Sequence, residues 1–175
     1  ELKMLSGMVG DVKGVVVLDN EGKRMIAKYY NNPRSLETDS QQKQFEKQIF
    51  VKSNKQGNSS KLNMFENDIM TVENYVAIFR CYTDMTIYIL GDRDDNELVL
   101  AQVLETIHEC FDKVFKHQIE RKSMINNMTA VILVIDELID SGIVMTTEAS
   151  TILQRINIKP SSSSSMNSGT SSSSQ

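Results

Sequence analysis

The two histidines are the first side chains to consider for catalysis in this 175-residue sequence, because imidazole titrates near neutral pH. His108 and His117 are nine residues apart, which places them about half a turn out of register on one helix. No G-x-S-x-G, P-loop or G-x-G-x-x-G motif accompanies them, and a nucleophile needs a base beside it. His108 and Asp112 could share a helix face, but two ligands do not make a zinc site. The histidine pattern therefore predicts a solvated helix face rather than a reactive centre.

A second pattern, Asp92-x-Asp94-x-Asn96, begins like a calcium-binding loop. The sixth position of such a loop requires glycine and the twelfth a bidentate glutamate, and here those positions hold Glu97 and Val103. The pattern instead predicts the N-terminal cap of a helix, with Glu97 in a first turn that favours negative charge. We therefore predict no catalytic residue, no cofactor and no metal site, and a protein that is not an enzyme.

The remaining pattern is an alternation of apolar strands and amphipathic helices. The strands are predicted at 12–18, 23–30, 63–72, 75–82 and 85–90. The helices are predicted at 41–55, from the cap at 94–96 to 117, at 122–140, and between 146 and 156. Thr38-x-x-Gln41 has the form of a capping box before the first helix. This order predicts an α+β fold with a five-stranded antiparallel sheet and helices on both of its faces.

Composition limits the class of protein. The net charge of −4, without a concentrated basic surface, argues against nucleic-acid binding. Cys81 and Cys110 lie in apolar elements and are predicted to be buried free thiols of a reducing compartment. No run of about 18 apolar residues occurs, and the chain is predicted to be cytosolic. We predict an N-terminal arm at 1–11, a folded domain at 12–158 and a disordered Ser-rich tail at 159–175.

The segment from Met124 to Ile139 is apolar nearly all round its predicted helix. Such a helix is buried on more than one side, and in a domain of this size one side is predicted to meet another protein. An ordinary core helix, or a strand over 130–135, is the alternative interpretation. The predicted partner interface consists of Ile132, Leu138, Ile139, Ile143 and Val144.

Four strings resemble the zeta subunits of coatomer: LDNEGKRMIAKYYNN (18–32), QKQFEKQIF (42–50), DNELVLAQVLETI (95–107) and VIDELIDSGIVM (134–145). They occur in the same order as in that family, and the resemblance covers residues 12–158. The sigma (small) chains of clathrin adaptor complexes are similar more distantly. The resemblance implies a longin-like (SNARE-like) fold. It also implies a structural subunit of the COPI vesicle coat, which acts in Golgi-to-ER and intra-Golgi transport.

The same resemblance implies partners and a location. In that family the small chain binds the N-terminal part of a larger subunit, here the large gamma subunit of coatomer, beside the other coatomer subunits. Recruitment depends on a small GTPase of the ADP-ribosylation-factor type, acting through the complex. The expected location is the cytoplasm, with peripheral association on Golgi membranes and COPI-coated vesicles.

A sigma-type chain that recognises dileucine cargo signals is the alternative. Sigma chains carry a signature close to I-I-Y-R-R-Y-A-G-L-Y-F, and residues 78–87 keep its strand pattern and Arg80 but little else. The positions that accept dileucine signals in sigma chains correspond to Thr83, Met85, His108 and Gln118. A leucine pocket needs apolar lining, and three of these four residues are polar, which disfavours that function. A longin-type regulator of a small GTPase is a third hypothesis, and no motif supports it.

Overall fold

The computed structural model describes residues 11–31, 35–57 and 66–156 of the chain. Residues 1–10 of the predicted N-terminal arm, the first residues of the predicted strand 63–72, and the predicted Ser-rich tail lie outside the described residues.

A five-stranded sheet forms the centre of the fold. Its strands are β1 (Gly14–Asp19), β2 (Arg24–Tyr29), β3 (Asp68–Val72), β4 (Tyr75–Cys81) and β5 (Met85–Asp92). They are ordered β2-β1-β5-β4-β3, and every neighbouring pair is antiparallel. Because β1 is covered on both faces, its valine-rich run is buried throughout and shows no polar alternation. The predicted five-stranded antiparallel sheet is confirmed.

Helices cover both faces of this sheet, as predicted. They are α1 (Asp39–Gly57), α2 (Glu97–Val114), α3 (Arg121–Asn126), α4 (Met128–Leu138) and α5 (Ala149–Ile156). The core beneath α1 contains Val16 and Phe79, whereas the core beneath α2, α4 and α5 contains Val15 and Ile87. Successive strand residues point to opposite faces, so neighbouring valines of β1 belong to different cores.

The predicted caps of α1 and α2 are both present. The Thr38 backbone N–H donates to Gln41 Oε1 (2.9 Å), and the Gln41 backbone N–H donates to Thr38 Oγ1 (3.2 Å), which together form the capping box. At the start of α2, the Leu98 N–H donates to the side-chain oxygen of Asn96 (3.0 Å). The Asp92-x-Asp94-x-Asn96 pattern therefore ends in a helix cap, as predicted.

The prediction of one helix at 122–140 is wrong. The chain forms α3, breaks at Asn127 and resumes as α4, which ends at Leu138. Asn127 has φ −116° and ψ 28°, and its side-chain amide donates to the Ser123 carbonyl (2.8 Å). Such a local bond competes with continuation of a helix, which explains the break.

A two-stranded hairpin follows α4, formed by β6 (Ile139–Asp140) and β7 (Ile143–Val144). Ser141 and Gly142 connect them with φ of 51° and 89°, and positive φ at both positions suits a tight two-residue turn. A Cβ atom at Gly142 would lie 2.9 Å from the Val12 carbonyl oxygen. The Val12 N–H also donates to the Gly142 carbonyl (2.8 Å), so the hairpin is held against the segment that precedes β1.

Candidate partner interface

The five residues predicted to form a partner interface divide into exposed and buried ones. Ile132 and Ile143 are 46% and 49% exposed, and Val144 is half-buried. Leu138 and Ile139 are only 0% and 1% exposed and belong to the core. The expectation that Leu138 and Ile139 present surface to a partner is therefore corrected, because neither side chain is accessible.

The geometry of α4 explains this division. Its core-facing residues recur every three or four positions: Val131, Val134, Ile135 and Leu138. Ile139 follows in extended backbone (φ −132°, ψ 119°) and starts β6, where it is also buried. Ile132 and Leu133 lie on the other side of α4 and are exposed. The structure therefore buries one side of α4 and leaves the other side exposed to solvent.

Exposed apolar residues extend beyond the predicted interface. Between α3 and the residue after β7, five large apolar side chains are exposed: Ile125, Ile132, Leu133, Ile143 and Met145. We call these five residues the exposed apolar set. The Met145 N–H donates to the Leu138 carbonyl (2.9 Å), which ties the end of the hairpin to the end of α4. Single exposed apolar residues are ordinary, but a group in one segment is a candidate contact for a partner.

Ion pairs bound the exposed side of α4. Lys28 of β2 pairs with Asp136, one turn after Ile132 and Leu133. Arg155 of α5 pairs with Glu137 (3.5 Å). An apolar centre with a charged rim is the usual composition of a protein–protein interface.

A second candidate feature is a cavity of about 460 Å³ at the end of α2. Three of the four positions that correspond to the dileucine site of sigma chains line it, namely Thr83, His108 and Gln118, whereas Met85 is buried in the core. Three carboxylates also line the cavity: Asp84, Asp112 and Glu120. The structure thus brings Thr83, His108 and Gln118 together at one cavity, but the lining of that cavity is too polar for a leucine side chain.

Both histidines line this cavity, although their spacing predicts opposite sides of a helix. α2 ends at Val114, and the positive φ of Lys116 and His117 (53° and 66°) turns the chain back. His117 Nδ1 then lies 2.7 Å from Asp112 Oδ2, while His108 Nδ1 lies 3.0 Å from the Tyr82 hydroxyl. Within residues 11–31, 35–57 and 66–156, no group of three or more His, Cys, Asp or Glu side chains could hold a metal ion.

Burial shifts the pKa values of two groups that line the cavity, His108 and Tyr82. Burial, and next the charge of Arg80, lower the pKa of His108 below its usual value. Burial also raises the pKa of Tyr82 to about 12. The hydrogen bond and the stacking between Tyr82 and His108 hold the two rings in a fixed relative orientation.

The two cysteines are free thiols, as predicted. Cys81 is half-buried on β4 and Cys110 is buried on α2. Burial raises the pKa of both thiols, to about 11 for Cys110. Because the thiolate is the reactive form, these cysteines have the character of packing residues.

Comparison with known proteins decides the family. The family model described as the clathrin adaptor complex small chain matches residues 11–163. The chain belongs to this family. Within it, coatomer subunit zeta of Saccharomyces cerevisiae is 32% identical over 157 residues, which cover 85% of this chain and 78% of that protein. The probable coatomer subunit zeta-A of Dictyostelium discoideum is 34% identical over 89% of this chain and 85% of that protein.

Two further matches are more distant in sequence. Human coatomer subunit zeta-1 is 26% identical over 91% of this chain and 84% of that protein. A chain from a homology model of the full-length AP-3 complex in a stretched open conformation superposes with a TM-score of 0.62 at 17% identity. That match covers 83% of this chain and 90% of the other. It confirms the longin-like adaptor fold, and the zeta relatives confirm the resemblance seen in the sequence.

Family membership makes this chain a coat-adaptor-like subunit of vesicle transport and a member of a multi-subunit coat. No helix among the described residues is both long enough and apolar enough to cross a bilayer.

Proposed function

We propose that this chain is a non-enzymatic structural subunit of the COPI coat that binds the large gamma subunit through the exposed apolar set. Similarity to coatomer zeta subunits supports the coat, and one structural observation supports the surface. Ile132 and Leu133 are exposed on a helix whose other side is packed in the core. Covering them with a partner removes apolar area from water and stabilises the complex.

The exposed apolar set offers apolar area that a partner can cover. Its five side chains are between 40% and 58% exposed. Fully burying a large aliphatic side chain contributes roughly 1.5–3 kcal/mol, so each half-exposed residue contributes about 1 kcal/mol when covered. A standard interface buries about 800 Å² on each partner, and polar neighbours such as Asp136 and Glu137 supply the rim.

The proposal includes the wider coat. The other coatomer subunits join through the gamma subunit, and a GTPase of the ADP-ribosylation-factor type recruits the assembled complex rather than this chain alone. The site of action is the cytoplasmic side of Golgi membranes and COPI-coated vesicles, in Golgi-to-ER and intra-Golgi transport. The zeta relatives support this assignment.

Co-purification with the large gamma subunit tests the proposed surface. The double substitution I132S/L133S removes the centre of the exposed apolar set and leaves the core-facing side of α4 intact. We expect at least a tenfold loss of co-purified gamma subunit, because about 2 kcal/mol of apolar burial is removed.

A matched control keeps this test specific. V51S/L98S removes two exposed apolar side chains from α1 and from the start of α2, and it should retain binding. Thermal unfolding of each variant checks that folding is unchanged. Full retention of the gamma subunit by a folded I132S/L133S protein would contradict the proposed surface.

The alternative function is recognition of dileucine cargo signals. The observation in its favour is that Thr83, His108 and Gln118 line one cavity. Titration with an acidic dileucine peptide distinguishes the two functions. Saturable micromolar binding at this cavity would favour the sigma-type alternative over a purely structural subunit.

A further inference from the structure

The outer side of α1 is a basic face. Residues spaced three and four apart line it: Gln44, Lys47, Gln48, Val51, Lys52 and Lys55. Lys43 lies one turn before Lys47, so this helix places four lysines towards solvent. We call Lys43, Lys47, Lys52 and Lys55 together with Val51 the α1 lysine face.

The two carboxylates of α1 do not balance these lysines. Glu46 faces inward, where it is buried and accepts hydrogen bonds from Arg24 Nε (2.9 Å) and from the Tyr29 hydroxyl (2.9 Å). Asp39 lies at the start of the helix and is shared between Arg24 (2.7 Å) and Lys43 (2.6 Å). Positive charge therefore dominates the middle and the end of the outer side.

The other three lysines of this face form no ion pair with a carboxylate of the described residues. Lys52 donates to the backbone carbonyl of Thr71, which leaves its positive charge unneutralised. Lys47 and Lys55 have no ion-pair partner in the part of the chain that the structure describes. Val51 is exposed between them, so the aliphatic stems of the lysines and this side chain form one amphipathic strip.

The long helix on the opposite face of the sheet, α2, has a net negative charge. α2, on the other face of the sheet, carries four carboxylates and one lysine: Glu97, Glu105, Glu109, Asp112 and Lys113. The chain is acidic in total, with a net charge of −4, so the basic α1 face is a local feature and not a consequence of composition. This separation of charge across the sheet orients the molecule relative to a charged surface.

We infer that the α1 lysine face docks on an anionic lipid surface. Lysine is depleted in protein–protein interfaces, and this face has only Val51 where such an interface has an apolar centre. Hydrated headgroups need no such centre, because lysines near an anionic leaflet are attracted over a Debye length without dehydration. The exposed apolar set lies on the other helical layer, so a large subunit and a membrane can be bound at the same time.

The docking is weak and additive. Each lysine close to an anionic leaflet raises the partition coefficient about fivefold. One copy of the chain therefore binds transiently, and several copies fixed in one coat bind through effective concentration. This inference goes beyond the proposed contact with the gamma subunit and does not depend on it.

Vesicle flotation with the full 175-residue chain tests the inference. Flotation is preferred to sedimentation because self-associated protein does not rise with lipid. The chain should float with vesicles of phosphatidylcholine and phosphatidylserine at about 7:3, and not with phosphatidylcholine alone, and about 1 M salt should abolish the effect. The variant K47Q/K55Q should bind about 25-fold more weakly, from a fivefold loss for each lysine.

The control variant is K113Q/K122Q, which removes the same charge from exposed positions on α2 and α3 and should float like the wild type. Glutamine keeps a helix propensity close to that of lysine, so both variants should fold.

Equal flotation of K47Q/K55Q and wild type, or equal losses in both variants, would overturn the inference. So would binding of wild type to soluble polyglutamate without flotation, because the face would then serve an acidic protein segment. The flotation experiment does not involve the gamma subunit. Its outcome is therefore independent of whether the chain co-purifies with that subunit.

Discussion

His108 is half-buried on α2 and packs against Tyr82. Its Nδ1 atom lies 3.0 Å from the Tyr82 hydroxyl, and the two rings stack with centroids 6.0 Å apart. Burial is the main cause of its lowered pKa, and Arg80, which pairs with Glu105 at 2.5 Å, adds to the effect. The folded chain therefore favours the neutral imidazole.

This pKa predicts a pH dependence of stability. The unfolded imidazole titrates near 6.5, and the folded one titrates at lower pH, so the unfolded chain binds the proton first. The contribution of His108 is complete above pH 6.5 and is lost as the pH falls towards the folded pKa. Urea unfolding at pH 7.5 and 5.5 should show a smaller decrease in the free energy of unfolding for H108Q than for wild type. The same decrease in both proteins would assign the effect to other groups.

At the scale of the elements, α1 begins with reciprocal side-chain bonds between Thr38 and Gln41. Thr38→Ala removes the acceptor for the Gln41 N–H, and it should lower the free energy of unfolding by about 1 kcal/mol. Ser40→Ala is the control, because Ser40 is an exposed first-turn residue, and its effect should stay within about 0.5 kcal/mol. Urea titration of both variants measures the difference, and equal stabilities would show that the box contributes nothing in solution.

Elements with local signals are the ones that the sequence predicts. The valine run of β1, the Thr38–Gln41 spacing and the cap at Asn96 each depend on neighbours within a few residues, and all three are present. The hairpin of β6 and β7 depends instead on contact between Gly142 and Val12, which are distant in sequence. Local sequence patterns do not indicate such a contact. The apolar run through Ile139 therefore predicts a helix that extends beyond Leu138, where α4 ends.

The residues of the candidate interface also divide into those that the local sequence identifies and those that only tertiary packing decides. Ile132 and Ile143 could be selected from the sequence because they lie in an excess of apolar residues, but Leu138 and Ile139 occupy that same excess and are buried. Only packing distinguishes them. The return of His117 to the cavity requires the backbone reversal at Lys116, which no spacing rule predicts.

At the scale of the whole molecule, the sheet separates an outer lysine face on α1 from an exposed apolar set on the layer of α3, α4 and the hairpin. The isolated chain should self-associate through the exposed apolar set, and co-expression with the gamma subunit should suppress this. Sedimentation velocity on wild type and I132S/L133S measures the effect, and the variant should be the more monomeric. A monodisperse wild-type monomer at high concentration would contradict self-association through the exposed apolar set.

Site-specific photo-crosslinking in the assembled coat identifies which surface of this chain contacts the large gamma subunit. A benzophenone side chain placed at position 132 should form a covalent adduct with the large gamma subunit, because Ile132 lies in the exposed apolar set. The same group at position 51, on the α1 lysine face, should give little or none. An adduct with the gamma subunit from position 51, and none from position 132, would contradict binding through the exposed apolar set.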